Sequence, residues 1–118
     1  MNVLLVDDDP VIRLAAAHAL RAAGHTVVEA ADGAAARAAA SRSVDVVILD
    51  VLLGDEDGVA VAGELRTHDT LRTVPILFLT GRADHERERL LAAGAVGVLA
   101  KPFDLTTFAA DVQRVLST

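Results

Sequence analysis

Residues 3–10 read Val3-Leu4-Leu5-Val6-Asp7-Asp8-Asp9-Pro10. Four apolar residues in a row, with no polar alternation, suit a strand buried on both faces, as in a parallel sheet covered by helices. Three acids then stop the run. Asp9-Pro10 reads as a helix start, with Asp at the N-cap and Pro at the first helical position, where its missing N–H is no loss. Working outward, the pattern recurs. Val46-Val47-Ile48-Leu49 runs into Asp50, Ile76-Leu77-Phe78-Leu79 into Thr80, and the apolar stretch 97–100 into Lys101. Strands are expected near 2–6, 26–29, 45–49, 75–79 and 97–100, and helices near 10–23, 33–42, 58–67, 84–93 and 104–116. Five alternating strand-helix pairs predict an α/β fold, a five-stranded parallel sheet with helices on both faces. Thr26-Val27-Val28-Glu29 is partly polar and suits an edge strand.

Turn chemistry marks the boundaries. Gly24 and Gly94 close the first and fourth helices. Asp32-Gly33 and Asp57-Gly58 open the second and third. Asp104 is the expected cap of the fifth. No linker, repeat or charge block interrupts the pattern, so residues 1–118 read as a single domain.

Hydrophobic residues make up 53% of the chain but only three are aromatic, so the core must be aliphatic. The absence of cysteine excludes disulfides and zinc–thiolate sites. A net charge of −6 opposes direct nucleic-acid binding, which needs a basic face. No apolar run approaches the roughly 18 residues of a membrane span. The first strand is expected to begin at residue 2 or 3, and no signal peptide is expected. A cytoplasmic domain without membrane attachment is expected.

In an open parallel sheet, ligands bind outside the carboxyl ends of the strands, where strand order reverses. If the order is 2-1-3-4-5, then Asp7, Asp8, Asp50, Thr80 and Lys101 converge on one edge. Lys101 stands out for a second reason: of eleven basic residues, it alone is not arginine. Lysine is a compact point charge where arginine is a planar fork. Carboxylates, a hydroxyl and an ammonium are what phosphoryl transfer needs for positioning and charge neutralisation.

The fragments Leu5-Val6-Asp7-Asp8-Asp9-Pro10, Ile48-Leu49-Asp50, Asp57-Gly58, Leu79-Thr80-Gly81 and Lys101-Pro102-Phe103 occur in one order and spacing. Together they make the chain resemble the response-regulator receiver domain of two-component signalling, a flavodoxin-like doubly wound fold. The resemblance implies that Asp50 accepts a phosphoryl group and that Thr80 and Lys101 contact it. It implies Mg²⁺ held by Asp7, Asp8, Asp50 and the carbonyl of Leu52, with Asp7 acting through water. The implied partners are a histidine kinase or phosphotransfer protein and a downstream protein or output domain. A phosphorylation-dependent homodimer is compatible with it. A cis peptide before Pro102 and a kinetic role for Arg82 are further implications. The implied role is that of a switch that catalyses its own phosphorylation and dephosphorylation. Haloacid-dehalogenase-type phosphohydrolases use similar groups, but their nucleophile follows the first strand, where this chain has its paired acids.

Two positions depart from the family. Gly54 stands where receivers usually carry proline, which predicts a more flexible loop after Asp50. Val98 stands where many have an aromatic residue that swings inward on activation. Valine has little to swing, so signalling is expected to run through the 80–84 loop and the fourth helix. The remaining polar groups carry plainer expectations. Asp9 is a cap, Asp55 and Glu56 belong to a solvated loop, and Asp84-His85-Glu86-Arg87-Glu88-Arg89 presents a solvated face. His18, His25, His68 and His85 show no ligand spacing and are expected to be exposed. Three neighbouring carboxylates should repel and raise at least one pKa.

Overall fold

A computed structural model describes residues 1–40 and 42–117. In chain order the elements are β1 (Asn2–Val6), α1 (Pro10–Ala22), β2 (Thr26–Ala30), α2 (Gly33–Ala39) and β3 (Val46–Asp50). A short hairpin follows, β4 (Leu52–Leu53) and β5 (Glu56–Asp57), then α3 (Gly58–Leu65). A 3₁₀ turn at Asp69–Leu71 leads to β6 (Ile76–Thr80), α4 (Ala83–Ala92), β7 (Gly97–Ala100) and α5 (Phe108–Leu116). The main sheet has the order β2-β1-β3-β6-β7, with every pairing parallel. With the hairpin strands set aside, this is the 2-1-3-4-5 order expected from the sequence.

The strands show why unbroken apolar runs were needed. Leu4, Val6, Val47, Leu49, Ile76, Phe78 and Val98 face α2, α3 and α4. Their neighbours Val3, Leu5, Val46, Ile48, Leu77 and Leu79 face α1 and α5, where Ala16, Ala17, Leu20, Phe108 and Val112 receive them. Each strand alternates faces with period two, and both faces are covered. Fully burying one such aliphatic side chain contributes roughly 1.5–3 kcal/mol. Phe103 and Phe108 stack with centroids 4.3 Å apart.

Most helix starts follow the expected chemistry. The Asp9 carboxylate accepts from the amides of Val11 and Ile12, Asp32 from Ala35, and Asp57 from Val59. Gly24 and Gly94 end their helices at φ +95° and +100°. The Lys101–Pro102 peptide is cis, as the resemblance implied.

The fifth helix differs from expectation. It begins at Phe108, not at 104, and Asp104 does not cap it. The Asp104 carboxylate instead accepts from the amide and the hydroxyl of Thr106, at 2.8 and 2.6 Å. Such a local turn competes with helix formation, so the cap position falls on Thr107. The hairpin was also unforeseen, because two-residue strands have no periodicity to read. The second helix ends at Ala39, and its expected span crosses residue 41, outside the described residues.

Candidate functional site

The sheet ladder sets the site. Asp50 is the last residue of β3 and pairs in register with Leu79, while Thr80, the last of β6, pairs with Ala100. The ladder runs one rung further on each strand. The Asp7 amide donates to Ala30 O at 3.1 Å, the Val51 amide to Leu79 O at 3.0 Å, and the Lys101 amide to Thr80 O at 2.8 Å. Asp7, Asp50 and Lys101 are therefore fixed by backbone bonds before any side chain acts.

The side chains then meet. Lys101 Nζ donates to Asp50 Oδ2 at 2.6 Å and lies 2.7 Å from Asp7 Oδ2. Asp50 Oδ1 accepts from the Leu52 amide at 3.1 Å. Asp7 Oδ1 accepts from the Asp9 amide at 2.9 Å. Among the described residues Asp7 Oδ2 has no well-aligned hydrogen-bond donor, and its close contact is the ion pair with the Lys101 ammonium. Asp7 is 1% exposed and Asp50 7%, whereas Asp8 sits on the rim with Oδ2 accepting from the Gly54 amide at 3.1 Å. Carboxylate oxygens of Asp7, Asp8 and Asp50 all lie within 4.8 Å of one another. An open cleft of about 370 Å³ runs over them, lined also by Leu52, Gly54, Gly81 and Lys101.

The family model for the response regulator receiver domain matches residues 3–113. The chain belongs to that family. This receiver is 41% identical over 116 residues to the transcriptional regulatory protein KdpE of Mycobacterium tuberculosis, covering 97% of this chain and 50% of that protein. It is 40% identical over 107 residues to the probable transcriptional regulatory protein TcrX of the same organism, covering 89% of this chain and 45% of that one. The chain thus spans about half the length of these curated relatives. Among solved structures, the chemotaxis response regulator CheY4 of Vibrio cholerae superposes with a TM-score of 0.87 at 37% identity, covering 97% of both chains. Receiver domains work with histidine kinases and output domains.

The receiver's electrostatics separate causes that the sequence could not. Burial pushes the Asp50 carboxyl above the ordinary aspartate range; Lys101 and the Leu52 amide pull it back, and the Asp7 charge adds only a small upward push. Repulsion between carboxylates was the expected cause, but desolvation dominates. At Lys101, burial pulls the pKa down, yet the carboxylates of Asp50 and Asp7 outweigh it and hold the ammonium above the ordinary lysine range.

Thr80 is the one site residue whose hydroxyl the structure turns elsewhere. It is 4% exposed, and Oγ1 donates to Glu86 Oε1 at 2.6 Å while accepting from the Arg82 amide at 3.0 Å. Leu52 reaches the site through its backbone, with a side chain 69% exposed. His25 is half-buried, its Nδ1 3.1 Å from the Met1 amine, while the other three histidines are exposed as expected.

Three contributors went unread in the sequence. Glu86 looked like one charge among many on a solvated helix. Glu56 looked like a solvated loop acid, but Oε1 accepts from the Gly33 amide at 2.9 Å and Oε2 lies 3.7 Å from Arg37. It ties the hairpin after Asp50 to α2. Arg13 donates to the Asp7 carbonyl at 2.9 Å and steadies the first acidic loop. The Arg13 position, one turn past the acids on the first helix, was the only available signal.

Proposed function

We propose that Asp50 is the phosphoacceptor of this receiver and takes a phosphoryl group from the phosphohistidine of a histidine kinase or phosphotransfer protein. The observation that carries this reading is one ammonium held between two buried carboxylates at the open edge of the sheet. An Asp50 carboxylate oxygen forms the new bond to phosphorus as the phosphorus–nitrogen bond to imidazole breaks, and the departing imidazole takes up a proton from solvent. Lys101 neutralises charge on the transferring oxygens, as phosphoryl transfer demands. Gly81 leaves room beside the acceptor, since a Cβ built there meets nothing within 4 Å.

The donor set suits Mg²⁺, a hard ion that takes about six oxygens and keeps several as water. A buried Asp7 oxygen with no aligned hydrogen-bond donor among the described residues beyond its ion pair with Lys101, a rim carboxylate on Asp8 and the Asp50 acceptor are hard oxygens of this kind. Asp7, Asp8, Asp50 and the Leu52 carbonyl would hold the ion. Bound there, it would offset negative charge on the phosphoryl oxygens.

A protein donor fits the surroundings. Beside the cleft, α1 presents Val11 and Leu14, 75% and 63% exposed, and Leu105 lies across a shallow groove at 47%. An apolar patch continuous with the acceptor suits docking of a donor protein. In this reading residues 1–118 form one cytoplasmic switch unit that carries out its own phosphorylation and dephosphorylation and controls a partner or output domain.

Intact-mass measurement after incubation with acetyl phosphate tests the assignment. One phosphoryl group should add in the presence of Mg²⁺, and none with EDTA or in Asp50→Asn. A yield indifferent to EDTA, or preserved in Asp50→Asn, would overturn it.

A further inference from the structure

We infer that Glu86 is a positioning residue for Thr80: its carboxylate holds the Thr80 hydroxyl away from the acceptor site until a phosphoryl group on Asp50 competes for it. The inference rests on the phosphoacceptor reading above and adds to it a residue from outside the acidic cluster.

A threonine hydroxyl carries one hydrogen to donate. At Thr80 that hydrogen is committed to Glu86 Oε1, at 2.6 Å. The oxygen accepts from the Arg82 amide at 3.0 Å, so the hydroxyl is held from both sides. Accordingly, Thr80 does not line the cleft over Asp50, although its neighbour Gly81 and Lys101 do. A phosphoryl oxygen can gain the Thr80 hydrogen bond only when Glu86 gives it up.

Glu86 is built to hold on. Its second oxygen, Oε2, receives Arg89 Nη2 at 2.9 Å, which fixes the carboxylate along the helix. It sits in the first turn of α4, where the helix dipole favours a negative group. The Thr80 hydroxyl, followed by Arg89, keeps its carboxyl below the usual glutamate range, so the accepting form is the ionised one near neutrality. Side-chain exposure of 21% leaves the contact neither sealed nor free.

The consequence is a competition between two anions for one proton donor. Loss of the Thr80 bond would also free Glu86, and with it the first turn of α4. This gives the chain a route from acceptor to helix that does not need an aromatic side chain at position 98.

The test uses beryllium trifluoride with Mg²⁺ as a phosphoryl analogue, titrated by ¹⁹F NMR on the whole chain. Glu86→Ala should lower the half-saturating concentration roughly three- to tenfold, and Glu86→Gln, which keeps a neutral acceptor, should lower it less. Removing any negative charge near an anion site could tighten binding, so the decisive arm is the Thr80→Val background. There the Glu86→Ala effect should vanish. An unchanged wild-type-background titration, or the same shift with Thr80→Val, overturns the inference while leaving the phosphoacceptor reading intact. No binding to the wild type, or equal binding to Asp50→Asn, overturns both.

Discussion

Lys101 makes two charge contacts of 2.6 and 2.7 Å with different carboxylates, and both depend on its being a point charge. A guanidinium spreads its charge over a planar fork and binds best to one carboxylate edge-on. Lys101→Ala should slow phosphoryl uptake from acetyl phosphate by about a hundredfold, the typical loss on removing one preorganised donor. Lys101→Arg should recover only part of that in the same mass-based rate measurement; full recovery would show that any cation suffices. The raised pKa values give a second expectation. In metal-free protein the ionised Asp50 carboxylate is disfavoured by burial, so at neutral pH it opposes folding. Asp50→Asn should therefore raise the urea midpoint at pH 7. As pH falls through the raised folded-state pKa of Asp50, the wild-type acid becomes neutral and the difference should close. A gap that widened in acid would reverse the sign and contradict the burial argument. For Lys101 the raised value means its favourable contribution is present below the ordinary lysine range and fades only above it. The acids and the lysine were legible in the sequence because each directly follows an apolar run. Glu86 was not, because only the tertiary approach of β6 to α4 distinguishes it from Glu88.

The elements carry constraints that no single side chain shows. Gly58 opens α3 directly behind the acceptor strand, and its amide donates to Val51 O at 2.7 Å. A Cβ built there would collide with the Asp50 carbonyl oxygen and with Val51 backbone atoms. Backbone cannot rotate aside as a flexible side chain can. Gly58→Ala should cost about 1–3 kcal/mol by urea unfolding, the range for overpacking, and slow Asp50 phosphorylation with it. Wild-type stability in that variant would mean the strand yields more easily than its hydrogen bonds suggest. The hairpin after Asp50 is the element the sequence said least about. Gly54 in place of proline predicts a more flexible loop; its ties are the Asp8 carboxylate accepting from the Gly54 amide and Glu56 reaching Gly33 and Arg37. Gly54 adopts φ +60°, a conformation proline cannot reach. The exposed side of α1 tests a different property. Leu14→Asp should leave stability within about 0.5 kcal/mol, since the residue is a surface one. It should also leave acetyl phosphate labelling unchanged. Transfer from any phosphohistidine protein active on the wild type should fall; equal losses with both donors would remove the case for docking there.

At the scale of the molecule, the helices differ in how much they bury. On one side α1 and α5 pack Ala16, Ala17, Leu20, Phe108 and Val112 against the strands, and on the other α2 and α3 pack Ala36, Ala39, Val61, Ala62 and Leu65. On that second side α4 buries only Ala83 and Leu90 of its ten residues. Elements with little buried apolar surface are drawn from the low-stability end of a fold, and switches use them. Val98, 2% exposed among Phe78 and Leu90 on that same face, is part of the packing and offers no large side chain to relocate. Driving such a switch from 1:99 to 99:1 takes roughly 5.5 kcal/mol of differential stabilisation. Charge-assisted bonds from Thr80 and Lys101, each about 1.5–3 kcal/mol, reach that only together, and the Thr80 share must first displace Glu86. The shift on phosphorylation alone should therefore be partial, with a partner that prefers the active state completing it. The chain has no Trp or Tyr, so intrinsic fluorescence has little to report and backbone NMR is the suitable probe. Amide shifts on beryllium trifluoride binding should concentrate at the acceptor loops and across 80–95, with peaks at saturation still short of the positions reached when a partner that prefers the active state is added. The α1–α5 face beyond Ala15 should stay quiet. Large changes there, with 80–95 unmoved, would mean that phosphate is read out on the opposite side of the sheet.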